Sequence, residues 1–89
     1  MAEPSEDRVV RAFDRARLAK QTKMPLIVVY NNPEDYPNKY VARVWDVNRP
    51  TALVAVADTL EEIREAIPQD MYNIGRTPQD DPCIVEVWL

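Results

Sequence analysis

Residues 24–30 read Met-Pro-Leu-Ile-Val-Val-Tyr, and this stretch decides the fold. Pro25 turns the residue before it away from helical geometry, and the five positions that follow, Leu26, Ile27, Val28, Val29 and Tyr30, are all aliphatic or aromatic. A strand with one wet face alternates between apolar and polar residues. A strand that is apolar at every position lies inside a sheet covered on both sides. The reading is of a central strand at 26–30 opening a compact unit that spans 24–89.

Downstream, residues 31–38 hold Pro33 and Pro37 among Asn and Asp side chains that mimic turns, which marks a loop. Residues 40–47 alternate, with Tyr40, Ala42, Val44 and Asp46 on one face and Val41, Arg43, Trp45 and Val47 on the other. This is a second strand. Asn48, Arg49, Pro50 and Thr51 connect it to a third at 52–57, which is again apolar on both faces. Thr59 then caps a helix, Glu62 completes a capping box, and Leu60, Ile63, Ala66 and Ile67 form the buried stripe before Pro68 ends it. A loop with the one glycine, Gly75, leads to a closing strand at 83–89, where Cys83, Val85, Val87 and Leu89 share a face. Cys83 reads as a small buried hydrophobe.

Upstream, Ser5 suits an N-cap, Glu6 and Asp7 suit the positive end of a helix, and Lys20 and Lys23 suit its negative end. These signals predict a helix over 6–21 with Val9, Ala12, Phe13, Ala16 and Ala19 as its apolar stripe. Arg8, Arg11 and Arg15 gather on the far side, as a solvated face or as a docking strip for an acidic partner or RNA. The expected fold class is α+β: an N-terminal helix followed by β-β-β-α-β, with a mixed four-stranded sheet and a helix packed on one face. Residues 1–23 are the basic helix and residues 24–89 the small domain, together one compact domain. One helix covers one face of such a sheet. The other face calls for the N-terminal helix or for another chain, including a second copy in a homodimer.

The chain has 89 residues, 46% hydrophobic and 29% charged, the balance of an ordinary globular domain. It holds no histidine and one cysteine, which excludes a histidine acid/base pair, an internal disulfide and a thiolate/imidazole zinc site. A single glycine cannot build a phosphate-cradling loop. No cofactor and no metal are therefore expected. The apolar runs fall far short of the roughly 18 residues a spanning helix requires, so no membrane partner is expected. The stretch Met1-Ala2-Glu3-Pro4-Ser5-Glu6-Asp7 lacks the basic start and apolar core of a secretory signal, which predicts a cytoplasmic protein.

Charge is uneven. Residues 1–23 carry six basic and four acidic side chains, whereas 24–89 carry five basic and eleven acidic ones. An acidic body repels phosphate backbones and confines any nucleic-acid contact to the N-terminal segment. Acids such as Asp80 with Asp81, or Asp46 with Asp58, offer a metal-dependent nuclease as an alternative. The apolar run at 26–30 leaves that alternative without a central carboxylate. Tyr36, in a proline-flanked loop beside Glu34 and Asp35, is a candidate partner contact, and Trp45 and Trp88 sit near strand ends.

The order of elements over 26–89, the aromatic second strand from Tyr40 to Trp45, and the run Ala57-Asp58-Thr59-Leu60-Glu61-Glu62-Ile63-Arg64-Glu65-Ala66 resemble the HicB-type antitoxin domain. That family has a strand-strand-strand-helix-strand unit, a truncated relative of the ribonuclease H sheet. Its usual Pro-Gly turn between the second and third strands is replaced here by Asn48-Arg49-Pro50-Thr51. The resemblance implies an antitoxin-like regulatory protein. The expected function is accordingly a noncatalytic protein that binds another macromolecule, a protein in the first place, through Arg8, Arg11, Arg15 and Tyr36. The alternatives are an enzyme accessory or nuclease using the acids, and an RNA-binding N-terminal helix.

Overall fold

The computed structural model describes residues 7–46, 49–76 and 82–89. In chain order the elements are β1 (Arg8–Val10), α1 (Arg15–Gln21), β2 (Pro25–Asn31), β3 (Tyr40–Asp46), β4 (Arg49–Ala57), α2 (Leu60–Glu65), β5 (Asn73–Gly75) and β6 (Ile84–Trp88). They build a six-stranded sheet in the order β1-β4-β3-β2-β6-β5. The two-sided apolar run occupies β2, which lies between β3 and β6 and pairs antiparallel with both. β3 and β4 are also antiparallel. The sheet is mixed because β1 runs parallel to β4, with Arg8 opposite Leu53, Val9 opposite Val54 and Val10 opposite Ala55.

This architecture corrects the four-stranded sheet with an N-terminal helix that the sequence suggests. The segment expected to be helical from residue 6 forms strand β1 first, and the helix begins only at Arg15. Two local preferences explain the change. Val9 and Val10 are β-branched, a side-chain shape that favours extended backbone. Asp14 is the cap in use: its side chain accepts a hydrogen bond from the Ala16 amide at 3.0 Å, which fixes the first turn there. The expected cap, Ser5, lies outside the described residues. The later start also rotates the stripe. Leu18, absent from the expected stripe, is 1% exposed, while Ala12, Ala16 and Ala19 face outward and Val9 is 56% exposed. A stripe made mainly of alanine offers little apolar area to bury, so it yields to one leucine. The two additional strands, β1 and β5, are three residues each, too short for a period-two pattern to register.

The remaining elements follow their local chemistry. Thr59 caps α2, its side chain accepting from the Glu62 amide at 3.1 Å and donating to the Glu62 carboxylate. The register of β3 against β4 slips between Arg43 and Trp45, where the Thr51 hydroxyl donates to the Val44 carbonyl at 2.6 Å. Pro50 sits near the end of β4, opposite Trp45 at the register slip and beyond the reach of β1, a place in a sheet that tolerates proline.

Both helices serve one face. Phe13, Leu18, Ile63, Ala66, Ile67 and Met71 pack there over Ile27, Val29, Ala42, Val44 and Ala55. The Phe13 amide ties the N-terminal segment to the end of α2 by donating to the Ala66 carbonyl at 2.9 Å. On the opposite face Val28, Val41 and Val54 are buried, and the loop between β2 and β3 brings Asp35 and Tyr36 onto it. That loop, rather than the N-terminal helix, contributes cover to this face. Cys83 is half-buried, not part of the core.

Leu18→Ala is expected to lower the free energy of unfolding by about 2–5 kcal/mol, whereas Ala19→Gln changes it by less than about 0.5 kcal/mol. Urea denaturation followed by circular dichroism reads both. Equal effects would restore the alanine stripe and remove the corrected helix phase.

Candidate interaction surfaces

Arg43 is the polar residue that β3 places on the loop-covered face, level with Val28 on one neighbouring strand and Val54 on the other. Its guanidinium donates from Nη1 to Asp7 Oδ1 and from Nη2 to Asp7 Oδ2, both at 3.0 Å, the paired geometry that makes arginine–carboxylate contacts strong. It also donates to the Thr51 carbonyl at 2.7 Å and to Asp35 at 3.3 Å. The Tyr36 hydroxyl donates to Asp7 Oδ2 at 2.9 Å. Solvent reaches 17% of the Arg43 side chain and 7% of that of Asp7, so the pair is shielded.

The electrostatics follow from that shielding. Hydrogen bonding by Arg43 holds the Asp7 carboxyl below its ordinary 3.8, against the opposing effect of burial. Burial, reinforced by the bond to Asp7, pushes the Tyr36 phenol up to about 12. Burial also works against the Arg43 cation, but its bonds to Asp7 outweigh this and raise its pKa. Tyr36, a candidate partner contact from the sequence, is thus half-buried and holds the N-terminal segment against the β2–β3 loop. Nearby on the same face, Trp45 Nε1 donates to the Tyr30 hydroxyl at 3.1 Å.

A second ion pair lies on the helix-covered face. Glu86 is buried on β6 and accepts from Arg64 of α2 at 2.7 and 3.1 Å and from Trp88 Nε1 at 2.7 Å. Burial favours its neutral form, but these donors prevail and hold its pKa below the ordinary 4.5. Both tryptophans are therefore engaged within the fold.

The three candidate arginines do not share a helix face. Arg8 lies on β1, Arg11 just beyond it, and only Arg15 is helical, its Nε donating to Asp70 at 3.1 Å across an exposed pair. Arg11 lines an open groove of about 630 Å³ with Lys39, Asp58, Glu62 and Glu65. Lys39 is bonded to Asp58 there. Asp46 is at the other end of the β3–β4 pair, accepting from the Lys23 and Met24 amides at 3.1 and 3.4 Å. Because Tyr40 pairs with Ala57 at one end and Asp46 with Arg49 at the other, Asp46 and Asp58 are separated by about 20 Å at 3.3 Å per strand residue. They form no common metal site. Asp80 and Asp81 lie outside the described residues, and among the described residues no group of three or more acidic, histidine or cysteine side chains is placed to hold a metal.

What sequence reasoning missed is an apolar corner at the β5 edge. Tyr72 and Leu89 exchange two backbone hydrogen bonds of 2.9 Å, and β5 continues from this pair. Tyr72 is 76% exposed, Ile74 59% and Leu89 50%. The ladder slips between Asn73 and Gly75, leaving Ile74 as a bulge against β6. Asn73 accepts from the Gly75 amide at 2.8 Å, and Gly75 has φ +75, the left-handed region that glycine enters without strain. The Asn73 and Gly75 pair was the available signal, but it reads first as a loop.

Comparison with protein-family models, with curated proteins and with solved structures found no match for this chain. The class defined by the fold is a small mixed α+β domain with a six-stranded sheet and two short helices. Among the described residues no helix is long and apolar enough to cross a membrane.

The pKa shifts set the pH dependence. Asp7 and Glu86 have folded-state values below their unfolded ones, so their contribution to stability is complete above pH 4.5 and is lost as pH falls through the folded-state values. Tyr36 has the opposite sign: its contribution is present below pH 10.0 and is lost as pH rises through about 12. Asp7→Asn should cost about 3 kcal/mol by leaving Arg43 with only the more exposed Asp35 as counter-charge, and should flatten the acid limb of the unfolding midpoint against pH. Tyr36→Phe should remove from the alkaline absorbance titration a phenolate that appears near pH 12. Unchanged profiles in both variants would dissolve the cluster.

Proposed function

We propose that this protein is a noncatalytic regulatory or interaction module that binds another protein, and that the HicB-like resemblance places it beside antitoxins in working by occupation rather than by turnover. The single observation that carries the reading is the apolar corner of Tyr72, Ile74 and Leu89. Three large apolar side chains left in water around one sheet edge cost solubility, and such clusters mark contact sites. Aromatic and aliphatic anchors of this kind supply most of the energy in protein interfaces. The bulge at Ile74 adds geometry to composition. It interrupts the ladder, so the corner offers side chains rather than a clean backbone edge. The partner is accordingly a protein with an apolar socket.

The alternative through RNA rests on a continuous arginine face on a helix, and the placement of Arg8 and Arg11 outside any helix withdraws that support.

The test is a photo-crosslinking residue at Ile74 in the producing cell, followed by mass spectrometry, and a Tyr72→Glu, Ile74→Glu double variant. A defined crosslinked protein that the double variant loses, at an unchanged unfolding midpoint, is the expected result. A partner retained at full strength by the double variant would overturn the site. Turnover of any compound by the purified protein, lost on replacing one carboxylate, would overturn the noncatalytic reading.

A further inference from the structure

The opposite end of the sheet has a different chemistry. β1 occupies the outer position next to β4, so one side of its backbone has no strand beside it among the described residues. A strand with one neighbour directs alternate amides and carbonyls outward, a template for another strand. Proteins blunt such edges with short strands, charged side chains, proline, glycine or bulges. β5 carries two of these devices, the bulge at Ile74 and Gly75. β1 is short and bears Arg8, but it has no proline, glycine or bulge, and Arg8-Val9-Val10 pairs with β4 in unbroken register.

The surroundings of β1 define what fits it. Val9, half-exposed on the face of Val54, is an apolar ledge beside the open backbone. On the helix face, Arg8 and Arg17 border a small pit of about 50 Å³ floored by Val10, Phe13, Leu18 and Leu53. Arg11 continues from the strand. None of these three arginines forms an ion pair with a described residue. Of the acids nearest Arg8 and Arg17, Asp7 is bound by Arg43 and Tyr36, and Asp14, which also lines the pit, caps α1, whereas Arg11 shares its groove with Glu62, Glu65 and the Lys39-bound Asp58. The edge is therefore basic on a chain whose net charge is −4.

We propose that β1 is the docking edge for an extended acidic peptide segment of a partner protein, which adds a strand beside Arg8–Val10 with its carboxylates facing Arg8 and Arg17. Backbone hydrogen bonds supply the affinity and the arginines supply the choice. The same charges decide against a second copy, since pairing β1 with β1 sets Arg8 of one chain near the arginines of the other. This surface is separate from the Tyr72–Ile74–Leu89 corner, so either can fail while the other stands.

The probe is a short blocked peptide alternating valine and glutamate, compared with its lysine counterpart and with a single-stranded RNA oligonucleotide. Binding is read by amide shifts and hydrogen exchange on isotope-labelled full-length protein. The glutamate peptide is expected to bind, to protect amides within Arg8–Val10, and to weaken as salt rises. Arg8→Glu with Arg17→Glu should weaken it roughly tenfold and transfer the preference to the lysine peptide. Because this variant gains a ligand, a folding defect cannot imitate the result. Four outcomes would overturn the proposal: no binding of the glutamate peptide, equal binding of the lysine peptide by the unmodified protein, shifts confined to the β5 corner, or RNA or a second copy occupying β1 in its place.

Discussion

Every feature of this fold answers to one constraint: the central strands are apolar on both faces, and two helices of six and seven residues cover only one of them. The uncovered face is closed by polar means. Arg43 stands in the middle of that face and would be a costly isolated charge there. Its bidentate pair with Asp7, the Thr51 carbonyl and Asp35 satisfy the guanidinium on several sides. In doing so they draw the loop between β2 and β3 and the start of β1 toward the same point. The ion pair therefore locates two segments that have little apolar area of their own.

The same economy governs the other face. Glu86 is the buried charged residue among the described ones, and it is held by a cation from α2 and an indole from its own strand. Arg64 thus ties α2 to β6 while Ile63, Ala66 and Ile67 fill the core. Among the described residues no buried polar side-chain atom lacks a partner. Polar chemistry in the interior is directed to holding the fold, which leaves the two ends of the sheet as the surfaces with unmatched character. One end is apolar and bulged. The other is basic and regular.

The HicB-like reading draws on the order from β2 to β6 with α2 between, whereas the complete sheet adds a strand at each edge. Those edge strands are where the two proposed contacts lie. Both proposed contacts thus fall on the parts of the sheet that local sequence patterns represent least.

Strands β2, β3, β4 and β6 and the capped helix α2 were legible in the amino-acid order, because side-chain alternation, β-branching and a Thr59–Glu62 box act within a few residues. Tyr36 and the arginines were legible as noteworthy but not as to role. Asp7 meets Arg43 across 36 positions and Tyr36 across 29, and Arg15 meets Asp70 across 55. Only the folded chain brings such groups together. The same holds for β1: Val9 and Val10 are compatible with a strand, yet a three-residue strand has no stability until β4 lies beside it. Local chemistry determined the elements that stabilise themselves, and tertiary contact decided the short edges and the partners of every buried charge.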